Sequence, residues 1–182
     1  MTIYRSAAAV ALCGLIGLAT PAFAQHADAH DAPAVTKAEA IMIPTKGSRV
    51  EGRITFTQEG DKMHVQAILT GLTPGPHGFH IHEFGVWSED GMATGGHFNP
   101  TSHPHADVHS PERHVGDLGN IVADEDGKAT LELKDSLLKF HGPTSILGRG
   151  VVVHEKADDL VSQPSGDAGG RLAVGTIGVA KP

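Results

Sequence analysis

The sequence predicts an all-β domain, a sandwich or barrel of roughly eight short strands, and three observations carry that prediction. From Val35 onward apolar residues recur with a period of two, and no stretch shows a convincing helical period. The alternating segments are separated by Gly/Pro-rich or acidic turn signals. Two long segments, 84–118 and 155–171, lack any strand pattern, and loops of that length in a compact domain are usually functional.

The chain begins with a segment that does not belong to this fold. MTIYR is a short basic start, SAAAVALCGLIGLA an apolar run, and TPAFA ends in a small-x-small pattern, so residues 1–24 read as a secretory signal peptide cut after Ala24. The apolar run is short for a bilayer span, so no membrane attachment is expected after cleavage. The protein is expected to be periplasmic or secreted. QHADAHDAPA, residues 25–34, is small and polar and reads as a flexible tail carrying His26 and His30. Residues 35–182 then form a single domain, large enough for one core. The chain's one cysteine, Cys13, leaves with the signal, so the mature protein has no disulfide. Loss of Arg5 takes the formal net charge from −7 to −8, which argues against nucleic acid or an anionic membrane as partner.

Within the domain, TKAEAIMI opens the strand set. RVEGRITFTQ places Val50, Ile54 and Phe56 on one face and Glu51, Arg53 and Thr55 on the other. EGDK at 59–62 is a hairpin signal, after which Met63, Val65, Ala67 and Leu69 alternate in MHVQAILTGL. LTPGPHG is a bend. GFHIHEFG, GNIVAD, KATLELKDS, GRGVVVHEKAD and RLAVGTIGVA complete the set, with a tight turn at DEDG, 124–127.

The chemistry gathers in and beside the two loops. On a strand, His80 and His82 point to one face and Phe79 and Ile81 to the other, so two imidazoles can grip one ion from one side. Residues 95–117, GGHFNPTSHPHADVHSPERHVGD, carry five histidines and scarcely an apolar side chain. Such a stretch is either a solvated polar run or a loop whose imidazoles converge on a metal. His154 ends an apolar strand at the second loop, where it reads as a ligand or as a satisfied, partly buried side chain. Asp117 follows His114 by three residues. Histidines with one carboxylate suit a closed zinc site, and all-imidazole coordination suits copper or zinc.

GFHIHEFG, GGHFNP, ERHVGDLGN, GRGVVVHEKADDL and GDAGGRLAVGTIG, in this order and at nearly this spacing, resemble the signatures of copper/zinc superoxide dismutase, in a form nearer the eukaryotic pattern. The resemblance covers nearly all of 35–182. It implies an eight-stranded Greek-key β-barrel, akin to an immunoglobulin-like sandwich, with two long functional loops. It implies dismutation of superoxide anion to dioxygen and hydrogen peroxide with one copper and one zinc per subunit. Copper would be held by His80, His82, His97 and His154, and zinc by His97, His105, His114 and Asp117, with a deprotonated His97 bridging both. Asp158 matches a carboxylate linking a ligand of each metal, and His77 matches a supporting histidine that is not a ligand. Arg171 matches the arginine of the substrate channel and, with His97, the catalytic pair. His103 and His109 match no ligand position and read as solvated. A homodimer and a copper donor are the partners implied. The alternative on the same fold is an exported copper/zinc buffer or carrier without turnover. No ligand set leaves the open zinc position and general base that a zinc hydrolase requires.

Two features depart from the family pattern. The family ties its first long loop to the barrel with a disulfide, and the corresponding positions here are Gly91 and Val174. Val86 and Trp87 are expected to anchor that loop by burial instead, against the barrel or a second subunit. The loop between Asp158 and Arg171 is about six residues shorter than the eukaryotic pattern and contains no lysine, so steering by charge should be weak.

Overall fold

A computed structural model describes residues 34–181; the signal segment and the tail up to Pro33 lie outside the described residues. Nine strands form: β1 (Lys37–Pro44), β2 (Glu51–Glu59), β3 (Lys62–Thr70), β4 (Gly75–His82), β5 (Asp117–Ala123), β6 (Ala129–Asp135), β7 (Gly150–His154), β8 (Arg171–Thr176) and the two-residue β9 (Gly178–Val179). The first eight close into an antiparallel ring in the order β1-β2-β3-β6-β5-β4-β7-β8, with β8 returning to β1. The chain leaves β3 without pairing it to β4, so the strands connect as a Greek key. Among the described residues the only helical piece is a 3-10 turn at Met92–Thr94.

The period-two pattern produces this ring directly. Along β3, Met63, Val65, Ala67 and Leu69 are buried while the residues between them face outward. Its pairing with β2 runs without slip from Glu51↔Thr70 to Glu59↔Lys62, because a slip of one residue would turn every apolar side chain out of the core. Ile54, Phe56, Phe79, Ile81, Val151 and Val153 complete the inner layer.

One part of the barrel breaks the alternation. From His77 to His82 in β4, and throughout β7, every residue is buried. The inner side chains there pack into the core, and the outer ones lie beneath the two long loops, 83–116 and 155–170. Polar residues on this outer face therefore end up in the interior.

Two sequence expectations are corrected. RLAVGTIGVA is not one strand: it breaks at Ile177, whose side chain turns into the core while its backbone exchanges hydrogen bonds with Gly148 and Arg149. Of the two burials expected for Val86 and Trp87, the one against the barrel does not occur: they are 55% and 44% exposed, and the Trp87 indole donates only to the Pro44 carbonyl at 3.3 Å. The first loop is held instead by Arg171, by a Lys46 N–H bond to the Glu89 carbonyl, and by the Thr176 hydroxyl on the Gly85 carbonyl.

A buried pair that sequence reasoning did not identify holds the far part of the same loop. Arg113, 2% exposed, donates to the carbonyls of Val108, His114 and Val115 and pairs with the Asp135 carboxylate at the end of β6. Its place directly before His114 was the available signal. Arg113→Met should lower the unfolding free energy by about 3 kcal/mol, because Asp135 is left buried without its cation. Denaturant unfolding measures this, and a loss below about 1 kcal/mol would put the pair at a solvated surface.

Candidate metal centre

Each histidine reaches the centre by a local feature of the backbone. His80 and His82 project from the outer face of β4. His97 lies beside them because Gly96–Phe98 runs as a short ladder along Ile81–Glu83, with Phe98 N–H on the Ile81 carbonyl and Glu83 N–H on the Gly96 carbonyl. Phe98 plugs that ladder into the core beneath the Arg149 guanidinium, 4.0 Å above its ring. His154 ends β7 at a bulge and lies opposite Arg171 of β8, which brings an arginine beside the histidines. His114 and Asp117 close a tight turn, in which Asp117 N–H donates to the His114 carbonyl at 3.1 Å.

Two groups of donor atoms result, each with its atoms within 4.8 Å of one another: His80, His82, His97 and His154, and His97, His105, His114 and Asp117. All seven side chains are buried. His97 belongs to both groups. Its Nδ1 faces Asp117 Oδ1 at 2.8 Å, while its Nε2 is buried without a hydrogen-bond partner on the other side.

The donor chemistry fits metal cations at both places. His82 Nδ1 lies 3.0 Å from the Gly95 carbonyl and His154 Nδ1 lies 3.3 Å from that of Gly169. A hydrogen on each Nδ1 leaves both Nε2 atoms as bare lone pairs, 3.3 Å apart and facing each other. His80 Nδ1 is buried and unpartnered beside them. In the second group one oxygen, Asp117 Oδ1, lies 2.8, 3.0 and 3.2 Å from the Nδ1 atoms of His97, His105 and His114. The His105 contact is short yet lacks hydrogen-bond geometry, since its Nδ1 is also unpartnered. Buried polar atoms are rarely left unpaired in proteins, and lone pairs converging from four sides are what a cation requires.

The remaining ring nitrogens are held by surrounding groups. Asp158 accepts from His80 Nε2 at 2.7 Å and from His105 Nε2 at 2.9 Å, linking one histidine of each group through a single carboxylate. His77 donates from Nδ1 to the His154 carbonyl at 2.8 Å and accepts at Nε2 from the Thr73 hydroxyl at 3.2 Å, so it has no ring nitrogen left to offer a metal. His103 and His109 fall in neither group. Three positioning residues were missed in the sequence. Asn120 of β5 clamps the Asp158 backbone through both its N–H and its carbonyl, at 2.7 and 2.9 Å. Gln163 does the same for His105, at 2.8 Å each way. Gly166 adopts a φ of +65°, and its α-carbon approaches Asp158 too closely for any side chain.

Burial sets the protonation of the first group: it pushes His82 and His154 well below the ordinary histidine value, lowers His80, and takes His97 down to about 4. The second group behaves oppositely. Burial opposes charge on His105, but the Asp117 and Asp158 carboxylates beside its two ring nitrogens outweigh burial and raise it to about 9. Burial likewise works against ionising the two carboxyls, and their bonds to the histidines nevertheless hold both well below the usual range.

Above the first group opens a cavity of about 550 Å³, lined by His82, His97, His154, Asp90 and Arg171 among others. Arg171 Nη1 donates to the Gly91 carbonyl at 2.8 Å and the Thr94 hydroxyl at 2.6 Å, and Nη2 to the Gly95 carbonyl at 2.7 Å. Gly91 itself packs on Arg171 and Val174: a β-carbon placed there would lie 2.9 Å from Arg171 Cβ and 3.3 Å from Val174 Cγ2. These are the two positions where the resembled family carries a disulfide, and here they lie side by side without one.

Asn120→Ala removes both clamps on the Asp158 backbone. The affinity of the paired groups for divalent ions should fall about ten- to a hundredfold, read by chelator competition. An unchanged affinity would mean that the second loop holds Asp158 unaided.

Comparison with known proteins identifies the family and the fold. Residues 50–177 match the family described as copper/zinc superoxide dismutase (SODC). The solved structure of the clock protein EA4 superposes with a TM-score of 0.76 and 43% sequence identity, over 83% of this chain and 99% of that one. With the closed eight-stranded barrel and both donor groups in place, the chain belongs to the copper/zinc superoxide dismutase family.

Proposed function

We propose that the protein dismutates superoxide to dioxygen and hydrogen peroxide, with copper held by His80, His82, His97 and His154 and zinc by His97, His105, His114 and Asp117. The observation that carries this reading is His97, whose two ring nitrogens face two donor groups back to back beneath the guanidinium of Arg171. Bound copper supplies a one-electron couple, and bound zinc a fixed charge without redox chemistry.

The chain's own residues do the rest. Arg171 has three of its five N–H donors engaged by the first loop, leaving Nε–H and one Nη2–H for a small anion in the cavity. Those backbone anchors hold the guanidinium in place before any anion arrives, so its charge costs no reorganisation when used. His97 Nε2, on the cavity side, is the atom that takes up and returns a proton, while Nδ1 stays on the Asp117 side. Asp158 keeps the Nε2–H tautomers of His80 and His105, which aims both Nδ1 atoms inward. Export to a periplasm-like compartment and a homodimer belong to the same proposal. Export rests on residues 1–24, and the homodimer finds support in the exposed apolar side chains of Phe84, Val86, Trp87 and Val179.

The deciding experiment is the rate of superoxide decay with protein carrying one copper and one zinc. A second-order constant on the order of 10⁸–10⁹ M⁻¹s⁻¹ is expected. Arg171→Ala should lower it at least about tenfold at unchanged metal content. A parent rate several orders of magnitude below that range would make the protein a metal buffer or carrier.

Zinc uptake has its own signature. In the metal-free protein His105 holds a proton at neutral pH, being raised to about 9. To bind through Nδ1 while Nε2–H stays on Asp158, it must lose that proton. Zinc binding at pH 7 should therefore release about one proton per ion, and affinity should rise with pH up to about 9. Calorimetry in buffers of different ionisation enthalpy reads the release directly; a value near zero would rule out a protonated His105.

A further inference from the structure

The cavity mouth carries a charge that the mechanism above does not use. Of the residues lining the cavity, the histidines aside, only Asp90 and Arg171 are ionisable. Asp90 is exposed, and its Oδ1 accepts from the Met92 N–H at 2.9 Å and the Ser88 hydroxyl at 2.8 Å. Those two bonds hold its carboxyl below the usual range, so it is ionised throughout the neutral region. They also fix it in space, two residues before the Met92–Thr94 turn. Its neighbour Gly91 supplies the carbonyl that clamps Arg171 Nη1, so one short segment presents a carboxylate at the mouth and a guanidinium within. The other loop adds no net positive charge: its one cation, Lys156, lies along Gly169 of the cavity lining, with Glu155 beside Gly170 and aspartates at 158, 159 and 167.

We propose that Asp90 sets the charge selectivity of this mouth: it holds back small anions that Arg171 draws in, and it favours cations, including the copper that loads the site. The anion half of this inference rests on the reading of the cavity as the path of superoxide; the cation half requires only that the first group binds copper. A carboxylate several Å from the path across solvated space changes the local concentration of a monovalent ion by roughly two- to fivefold at low salt. The effect acts in opposite directions on anions and cations and fades once the Debye length shrinks to a few Å. This opposition separates a charge effect from a change in loop shape, which would move both in one direction and ignore salt.

The test compares the parent with Asp90→Asn and Asp90→Glu in two measurements that need no turnover. Azide affinity of the copper-loaded protein is followed by its absorption band, and Cu²⁺ uptake by the metal-free protein by stopped flow, each at about 10 mM and about 500 mM ionic strength. For D90N at low salt, azide should bind roughly two- to fivefold more tightly, and uptake of the divalent copper ion should slow by about the square of that factor, roughly four- to twenty-fivefold. Both differences should largely vanish at high salt, and D90E should follow the parent. Equal values for D90N and parent at low salt overturn the proposal, as do shifts that persist at high salt. A copper-loaded parent that binds no azide refutes the anion-channel reading, and the uptake arm then decides the role of Asp90 alone.

Discussion

Eight ionisable side chains lie on the outer face of one half of this barrel with between 0 and 8% of their surface exposed: six histidines, Asp117 and Asp158. Water cannot satisfy them there, and leaving them unpaired would cost several kcal/mol each. The structure meets this constraint from two sides. Carbonyls and Asp158 take up the outward ring nitrogens, while the Asn120 and Gln163 amides hold the backbones of Asp158 and His105. The inward atoms are left facing one another, an arrangement that only cations relieve. The rest of the molecule follows from this division: the loops must cover the histidines, and the barrel must hold the loops.

The loops are held without a covalent tie. A disulfide closing a loop of this kind contributes a few kcal/mol, mainly by restricting the unfolded chain. Here Gly91 and Val174 meet by packing alone, and the tie is replaced by hydrogen bonds that Arg171, Thr176 and Lys46 make to the first loop. These act only in the folded state, so they leave the unfolded chain unrestricted. They also give Arg171 two tasks, since the guanidinium that faces the cavity is the peg on which the loop hangs. At the other end Arg113 serves the first loop alone: it gathers three loop carbonyls and buries its charge against Asp135.

How much of this was legible in the sequence depends on the range of the interaction. The alternation of Met63, Val65, Ala67 and Leu69 is local and survives intact in β3. The seven donor residues were legible through the resemblance of their flanking motifs to the family, and they converge in two groups. The partnerships of Asn120 with Asp158 and of Gln163 with His105 span 38 and 58 residues and leave no local pattern. The break at Ile177 was invisible for a related reason: an apolar residue in an apolar run gives no sign that its backbone turns to Arg149. Trp87 invited an anchoring role because large aromatics are usually buried, yet within its own chain the ring stays exposed and the indole reaches only the Pro44 carbonyl of β1.

By itself the sequence determined the class of fold, the strand periods, the two long loops and the identity of the imidazoles, because each is written in neighbouring residues or short motifs. Only the tertiary structure decided which nitrogen of each ring faces inward, that Arg171 stands across β7–β8 from His154, and that Asp90 flanks the cavity. Those facts depend on which backbone carbonyls and carboxylates lie within about 3 Å of a given atom. That proximity arises when the barrel closes and brings residues together that are distant along the chain.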